Sequence, residues 1–135
     1  MDYTKIRVLI VDDAAMMRVL LKGFLRNMGV TKVLEAGDGE MALEILNHTP
    51  VDLILSDWNM PKMTGIELLR QVRADYRLKR IPFIMISAES SPENIRQAIQ
   101  LQVNHYLLKP FTAAQIEQKV GLTCNRILDA AQAAA

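Results

Sequence analysis

Short apolar runs, each followed by a stretch of helical periodicity, constrain this chain more than any other feature. The runs are Ile6 to Val11, Lys32 to Ala36, Val51 to Ser56, Pro82 to Ser87 and His105 to Lys109. They are brief and often β-branched, as strands buried on both faces are. Between them, Met17, Leu20, Leu21, Phe24, Leu25 and Met28 recur at the spacing of one helix face. Gly29 is placed to stop that helix. Met41, Ala42, Ile45 and Leu46 mark a second helix, with Asp38 as its N-cap. Ile66, Leu69 and Val72 mark a third. Ile95 and Ile99 mark a fourth that starts near Pro92. Ile116, Val120, Cys124, Ile127 and Leu128 mark a fifth, capped by Thr112. This alternation predicts an α/β fold: a doubly wound, five-stranded parallel sheet with five helices on its two faces. Right-handed crossovers leave few topologies open.

The length of 135 residues suits a single domain over 1–135, in which about 129–135 is a helix extension or tail rich in alanine. Sixteen Lys and Arg against fifteen Asp and Glu give a net charge of +1, without the basic excess of a nucleic-acid binder. One cysteine, Cys124, excludes an internal disulfide and fits a reducing compartment. It falls on the apolar stripe of the last helix, which makes it a packing residue. No apolar run is long enough for a membrane span, and the first residues lack the apolar stretch of a signal peptide. A cytoplasmic location without membrane insertion is the expectation.

In an open parallel sheet, ligands bind outside the carboxyl ends of the strands. Asp12 and Asp13 follow the first run, Asp57 the third and Ser87 the fourth; Lys109 and Pro110 follow the fifth. Glu35, Ala36 and Gly37 at the second read as plain turn chemistry. Each residue taken alone has an ordinary explanation. An acidic pair caps a turn or helix, a lysine is a solvated charge, and a serine is a cap. Together they form a device. Three carboxylates in one crevice repel one another, by about 4 kcal/mol per pair at 4 Å and an effective dielectric of 20. Mg²⁺, a hard cation that takes oxygen ligands and keeps waters, would offset them. With no Cys or His at these strand ends, zinc is disfavoured. Ser87 and Lys109 offer a hydroxyl and an ammonium for phosphoryl oxygens. Asp57 stands alone, which makes it the better candidate for a carboxylate nucleophile that forms an aspartyl-phosphate.

These motifs resemble the receiver domain of two-component response regulators, from about Ile6 to Leu128. The resemblance rests on Asp12-Asp13, Asp57 with Met60-Pro61 and Gly65 behind it, Ser87-Ala88 and Lys109-Pro110-Phe111. The runs Asp57-Trp58-Asn59-Met60-Pro61 and Lys109-Pro110-Phe111-Thr112-Ala113-Ala114 are similar to the chemotaxis regulators of that family in particular. The resemblance implies a flavodoxin-like strand order 2-1-3-4-5. It implies that Asp57 accepts a phosphoryl group from a phosphohistidine on a sensor histidine kinase of the chemotaxis type. It implies Mg²⁺ ligation by Asp13, Asp57 and the Asn59 carbonyl, with Asp12 helping through water. Ser87 and Tyr106 would form the switch, Tyr106 turning inward as Ser87 moves toward the phosphoryl group. Asn59 and Glu89 would govern access of the hydrolytic water, with fast self-dephosphorylation as the corresponding expectation. A monomer that engages a flagellar switch protein and a phosphatase is implied as well.

Three positions depart from the family pattern. Ser87 stands where the chemotaxis regulators carry threonine, Thr64 where an Asp is common, and Gln102-Val103-Asn104 where a glycine-containing turn is usual. Asn104 is the candidate for the left-handed residue of that turn. Other functions remain open on the sequence. A phosphorelay intermediate or a phosphate sink fits the same site. A Mg²⁺-dependent phosphatase would need a general acid or substrate cap beside Asp57, where Trp58 and Asn59 supply neither. A flavodoxin-like cofactor binder would need a Gly- or Ser/Thr-rich loop after the first strand, where Asp12-Asp13-Ala14-Ala15 stands.

Overall fold

Five parallel strands form one sheet in the order β2-β1-β3-β4-β5 in the computed structural model of the protein, which describes residues 2–134. Met1 and Ala135, the two ends of the expected domain, lie outside the described residues. The strands are β1 (Arg7–Val11), β2 (Lys32–Ala36), β3 (Leu53–Asp57), β4 (Phe83–Ser87) and β5 (His105–Leu108). The helices are α1 (Ala15–Asn27), α2 (Gly39–His48), α3 (Gly65–Ala74), α4 (Pro92–Gln100) and α5 (Ala113–Ala134). A 3₁₀ turn over Tyr3–Lys5, which the apolar pattern did not announce, precedes β1.

Alternation along each strand divides the core in two. Leu9 and Val11 of β1, Ile54 of β3, and Phe83 and Met85 of β4 face α2, α3 and α4. Val8 and Ile10, Leu53 and Leu55, and Ile84 and Ile86 face α1 and α5. All of β3 and β4 is buried, because helices cover both faces of the sheet. No helix among the described residues is long and apolar enough to cross a membrane.

Most expected boundaries hold to within one or two residues. Asp38 caps α2, its carboxylate accepting the Met41 N–H at 2.8 Å. Thr112 caps α5 by accepting the Gln115 N–H at 3.1 Å, and the Gln115 side chain accepts the Thr112 N–H in return. Gly29 follows α1 with φ +97°, a conformation that favours glycine. Thr64, one of the three departures, builds a complete capping box with Glu67 at the start of α3.

The turn before β5 corrects one expectation. The left-handed residue is Gln102, at φ 63°, and not Asn104. Asn104 is used through its side chain, whose Oδ1 accepts the Phe83 N–H at 2.7 Å and an Arg73 N–H at 3.1 Å. Arg73 also donates to the Ile81 and Gln102 carbonyls, so one guanidinium ties the entry to β4 to the entry to β5. The alanine-rich segment continues α5 as helix as far as Ala134.

Candidate functional site

Parallel pairing brings the ends of β1, β3 and β4 to one edge of the sheet, with Val11 opposite Ser56 and Asp57 opposite Ile86. The polar residues after those ends therefore meet although they are far apart in sequence. Asp12, Asp13 and Asp57 each offer a carboxylate oxygen, and these oxygens all lie within 4.8 Å of one another. Asp12 and Asp57 are buried, while Asp13 is exposed at the rim.

Lys109 sits between the two buried acids, its Nζ 3.4 Å from Asp12 Oδ2 and 3.3 Å from Asp57 Oδ1. It follows β5 and is joined to Pro110 by a cis peptide bond. Its own N–H donates to the Ser87 carbonyl at 2.8 Å, which fixes its backbone against β4. Three carboxylates against one ammonium leave a formal charge of −2. Burial pushes the Asp57 carboxyl above its usual range; the Lys109 charge opposes this and the Asp12 charge adds to it. An oxygen-lined cluster with this charge matches what a hard divalent cation requires.

Asp57 Oδ1 also accepts the Trp58 N–H at 2.8 Å. Behind it, the Gly65 N–H donates to the Trp58 carbonyl at 2.8 Å. A Cβ on Gly65 would stand 2.0 Å from the Asp57 carbonyl oxygen, so only glycine permits this approach. The ordinary roles persist beside the functional arrangement. Asp12 Oδ1 accepts the Ala14 N–H at 2.9 Å, and Ser87 Oγ accepts the Glu89 N–H at 2.9 Å.

The structure gathers the remaining candidates at the same edge. Asn59 donates from its side chain to Glu89 Oε1 at 2.9 Å, and Asn94 donates to Glu89 Oε2 at 3.2 Å. Tyr106 donates its hydroxyl to the Glu89 carbonyl at 2.6 Å and stands edge-on to Trp58, with ring centroids 6.4 Å apart. Glu89 is thus held from both sides. Cys124 is buried, its thiol pushed up to about 11 by burial, which suits a packing role.

Arg18 escaped the sequence reasoning. Its Nη1 donates to the Asp12 carbonyl at 2.6 Å, and its Nε pairs with Glu35 at 3.0 Å. Lys22 pairs with the same carboxylate at 2.8 Å. Glu35, read as turn chemistry, therefore orients the side chain that braces the site's first aspartate. The one available signal was the helical spacing of Arg18 and Lys22 on α1, which does not identify the partner.

A family profile described as "Response regulator receiver domain" matches residues 8–121. The chain is 46% identical over 121 residues to the chemotaxis protein CheY of Pseudomonas aeruginosa, a match covering 90% of this chain and 98% of that one. Among solved structures, the chemotaxis response regulator CheY4 of Vibrio cholerae is 33% identical with a TM-score of 0.76, over 90% of this chain and 98% of that chain. The receiver domain of a sensor histidine kinase from Pseudomonas aeruginosa superposes with a TM-score of 0.79 at 26% identity, over 88% and 97% of the two chains. That structure has a magnesium ion coordinated in its active-site cleft.

Proposed function

This chain belongs to the response regulator receiver family, and from that premise we propose that it is a phospho-accepting signalling protein of chemotaxis. The single observation that carries the proposal is the cluster of Asp12, Asp13 and Asp57, with Lys109 between two of them. Asp57 accepts the phosphoryl group. Its Oδ1 is occupied by the Trp58 N–H and the Lys109 ammonium, which leaves Oδ2 to attack. A P–O bond forms at Oδ2, the P–N bond to the donor histidine breaks, and the imidazole nitrogen keeps the electron pair.

Asp12, Asp13, Asp57 and the Asn59 carbonyl are the groups that would hold Mg²⁺, Asp12 through water. Bound there, the cation supplies positive charge against the phosphoryl oxygens. Lys109 stabilises the same oxygens from the other side as a compact point charge. Ser87 donates its hydroxyl to one of them. Asn59 and Glu89, joined to each other, stand where hydrolytic water approaches and set the rate of dephosphorylation.

Ser87 and Tyr106 form the switch. In the unphosphorylated protein both bond to the loop at Glu89, one to its N–H and one to its carbonyl. Recruitment of Ser87 by the phosphoryl group loosens that loop and lets Tyr106 move inward. The phosphoryl group thereby favours one of two existing arrangements. The face of α4, β5 and α5 then presents the signal to a protein target in the cytoplasm. The names of the relatives speak of chemotaxis; in this reading a chemotaxis-type histidine kinase is the donor, the flagellar switch the target, and a phosphatase ends the signal. The receiver domain in this reading spans 1–135, with residues 8–121 matching the family profile and about 129–135 as the helix extension or tail.

The test is labelling by a small acyl phosphate or amidophosphate donor with Mg²⁺, followed by rapid quenching. The wild type takes up label and Asp57→Asn does not. Equal labelling of both, or none in either, removes Asp57 as acceptor. Trp58, packed beside Asp57, gives a second readout: its fluorescence changes on addition of Mg²⁺.

A further inference from the structure

A cavity of about 360 Å³ opens at the amino-terminal edge of the sheet, away from the three aspartates. Asp52 before β3, Pro82 before β4 and His105 at the start of β5 line its inner side. The second half of α5 walls it through Arg126, Ile127 and Ala130. This wall lies beyond residue 121, where the family match ends.

The lining combines two kinds of surface. Val51, Ile81, Pro82 and Ile127 are apolar, while Arg77, Arg80 and Arg126 bring positive charge. Arg77 is engaged, pairing with Asp75 at 3.2 Å and donating to Asn47 at 3.0 Å. Among the described residues, Arg80 and Arg126 form no ion pair with any carboxylate. The one carboxylate in the lining, Asp52, already accepts the Arg7 N–H at 2.8 Å. Burial pushes the His105 imidazole below its ordinary pKa, and the charges of Lys119 and Arg126 push it the same way. The bond from Arg7, donated by a neutral amide, leaves the Asp52 charge in place. The lining thus sets three arginines against one carboxylate and keeps a net positive charge, with Arg80 and Arg126 at its exposed rim.

We propose that this cavity binds a small organic phosphate, with Arg80 and Arg126 taking the phosphate and the apolar wall taking the organic body. A guanidinium presents a planar fork of donors that matches phosphate oxygens. Apolar walls with a few convergent polar groups, in a volume of roughly 300–1,000 Å³, characterise small-molecule sites. Inorganic phosphate would leave the apolar wall unused, and an uncharged body would leave both arginines without a partner.

Calorimetric titration of the full chain, without Mg²⁺ or phosphodonor, tests this with adenosine monophosphate, adenosine, inorganic phosphate and benzoate. Adenosine monophosphate binds, and each of the other three binds at least about 10-fold more weakly. Arg80→Gln and Arg126→Gln each weaken it about 5- to 10-fold. Ala130→Trp, which fills the mouth from the exposed side of α5, removes binding while thermal unfolding stays cooperative. Absence of heat from adenosine monophosphate overturns the proposal, as does an affinity unmoved by both arginine changes. Equal binding of inorganic phosphate, or tighter binding of benzoate, overturns it too. The titration uses unphosphorylated protein, so its outcome is independent of the role given to Asp57.

Discussion

Strand β3 has an aspartate at each end, and the fold puts the two to opposite uses. Asp52, just before the strand, is spent on structure. Its carboxylate accepts the Arg7 N–H and its own N–H donates to the Arg7 carbonyl, both at 2.8 Å, so β3 and β1 are clasped where they begin. Asp57, closing the strand, faces two other carboxylates and shares one lysine with Asp12. The same contrast separates the two sheet edges. At the amino edge, Asp52, Asn104 and Arg73 satisfy backbone groups. At the carboxyl edge, acids face one another with bonding capacity to spare. Burial raises the Asp57 carboxyl because its charged form is desolvated there, and the Asp12 charge adds to the rise.

Three substitutions probe that contrast, from the largest expected effect to the smallest. Gly65→Ala places a methyl 2.0 Å from the Asp57 carbonyl oxygen. It should cost about 3 kcal/mol or more in denaturant unfolding, because backbone must move to admit it. A loss under about 1 kcal/mol would mean that the ground behind Asp57 yields easily, and that the carboxyl edge is less rigid than its packing indicates.

Asn104→Ala acts at the amino edge. It strips the Phe83 N–H and one Arg73 N–H of their acceptor, at a cost of about 2 kcal/mol. Phosphoryl labelling of Asp57 should persist in the folded variant. If labelling falls in step with stability at temperatures where the protein remains folded, the two edges are coupled and their division of labour fails.

Asp57→Asn has the smallest effect on stability, and pH gives its sign. The folded carboxyl lies above the unfolded value of 3.8. Between these two values the unfolded chain gives up a proton that the folded protein retains, so the wild type loses stability as pH rises through the raised value. The neutral amide of Asp57→Asn carries no such penalty. Without divalent cations the variant should melt a few degrees higher at neutral pH, and the gap should close on acidification toward 3.8. A variant less stable than the wild type at neutral pH would show that Lys109 more than offsets the burial of Asp57.

Much of this was legible in the residues. Strand–helix alternation gave the parallel sheet, and the acids fell at strand ends because apolar runs stop where the chain leaves the core. The helix caps at Asp38 and Thr112 were legible for the same local reason: each bonds within three residues of itself. Gln102 was missed because positive φ carries little signature outside glycine and asparagine. Arg18 was missed because its partners, the Asp12 carbonyl and Glu35, depend on how α1 lies across β1 and β2. The cavity under α5 was invisible because its walls come from four separate parts of the chain.

By itself the sequence determined which segments are strands and helices, and which polar residues stand at strand ends. Those follow from periodicity and local bonding, which act over a few residues. The meeting of Asp12, Asp57 and Lys109 within ion-pair distance was decided by the tertiary structure. So was the difference between Asp52 and Asp57. Two identical side chains five residues apart acquire different chemistry because one edge of the sheet supplies backbone donors to bond. The other supplies like charge and burial.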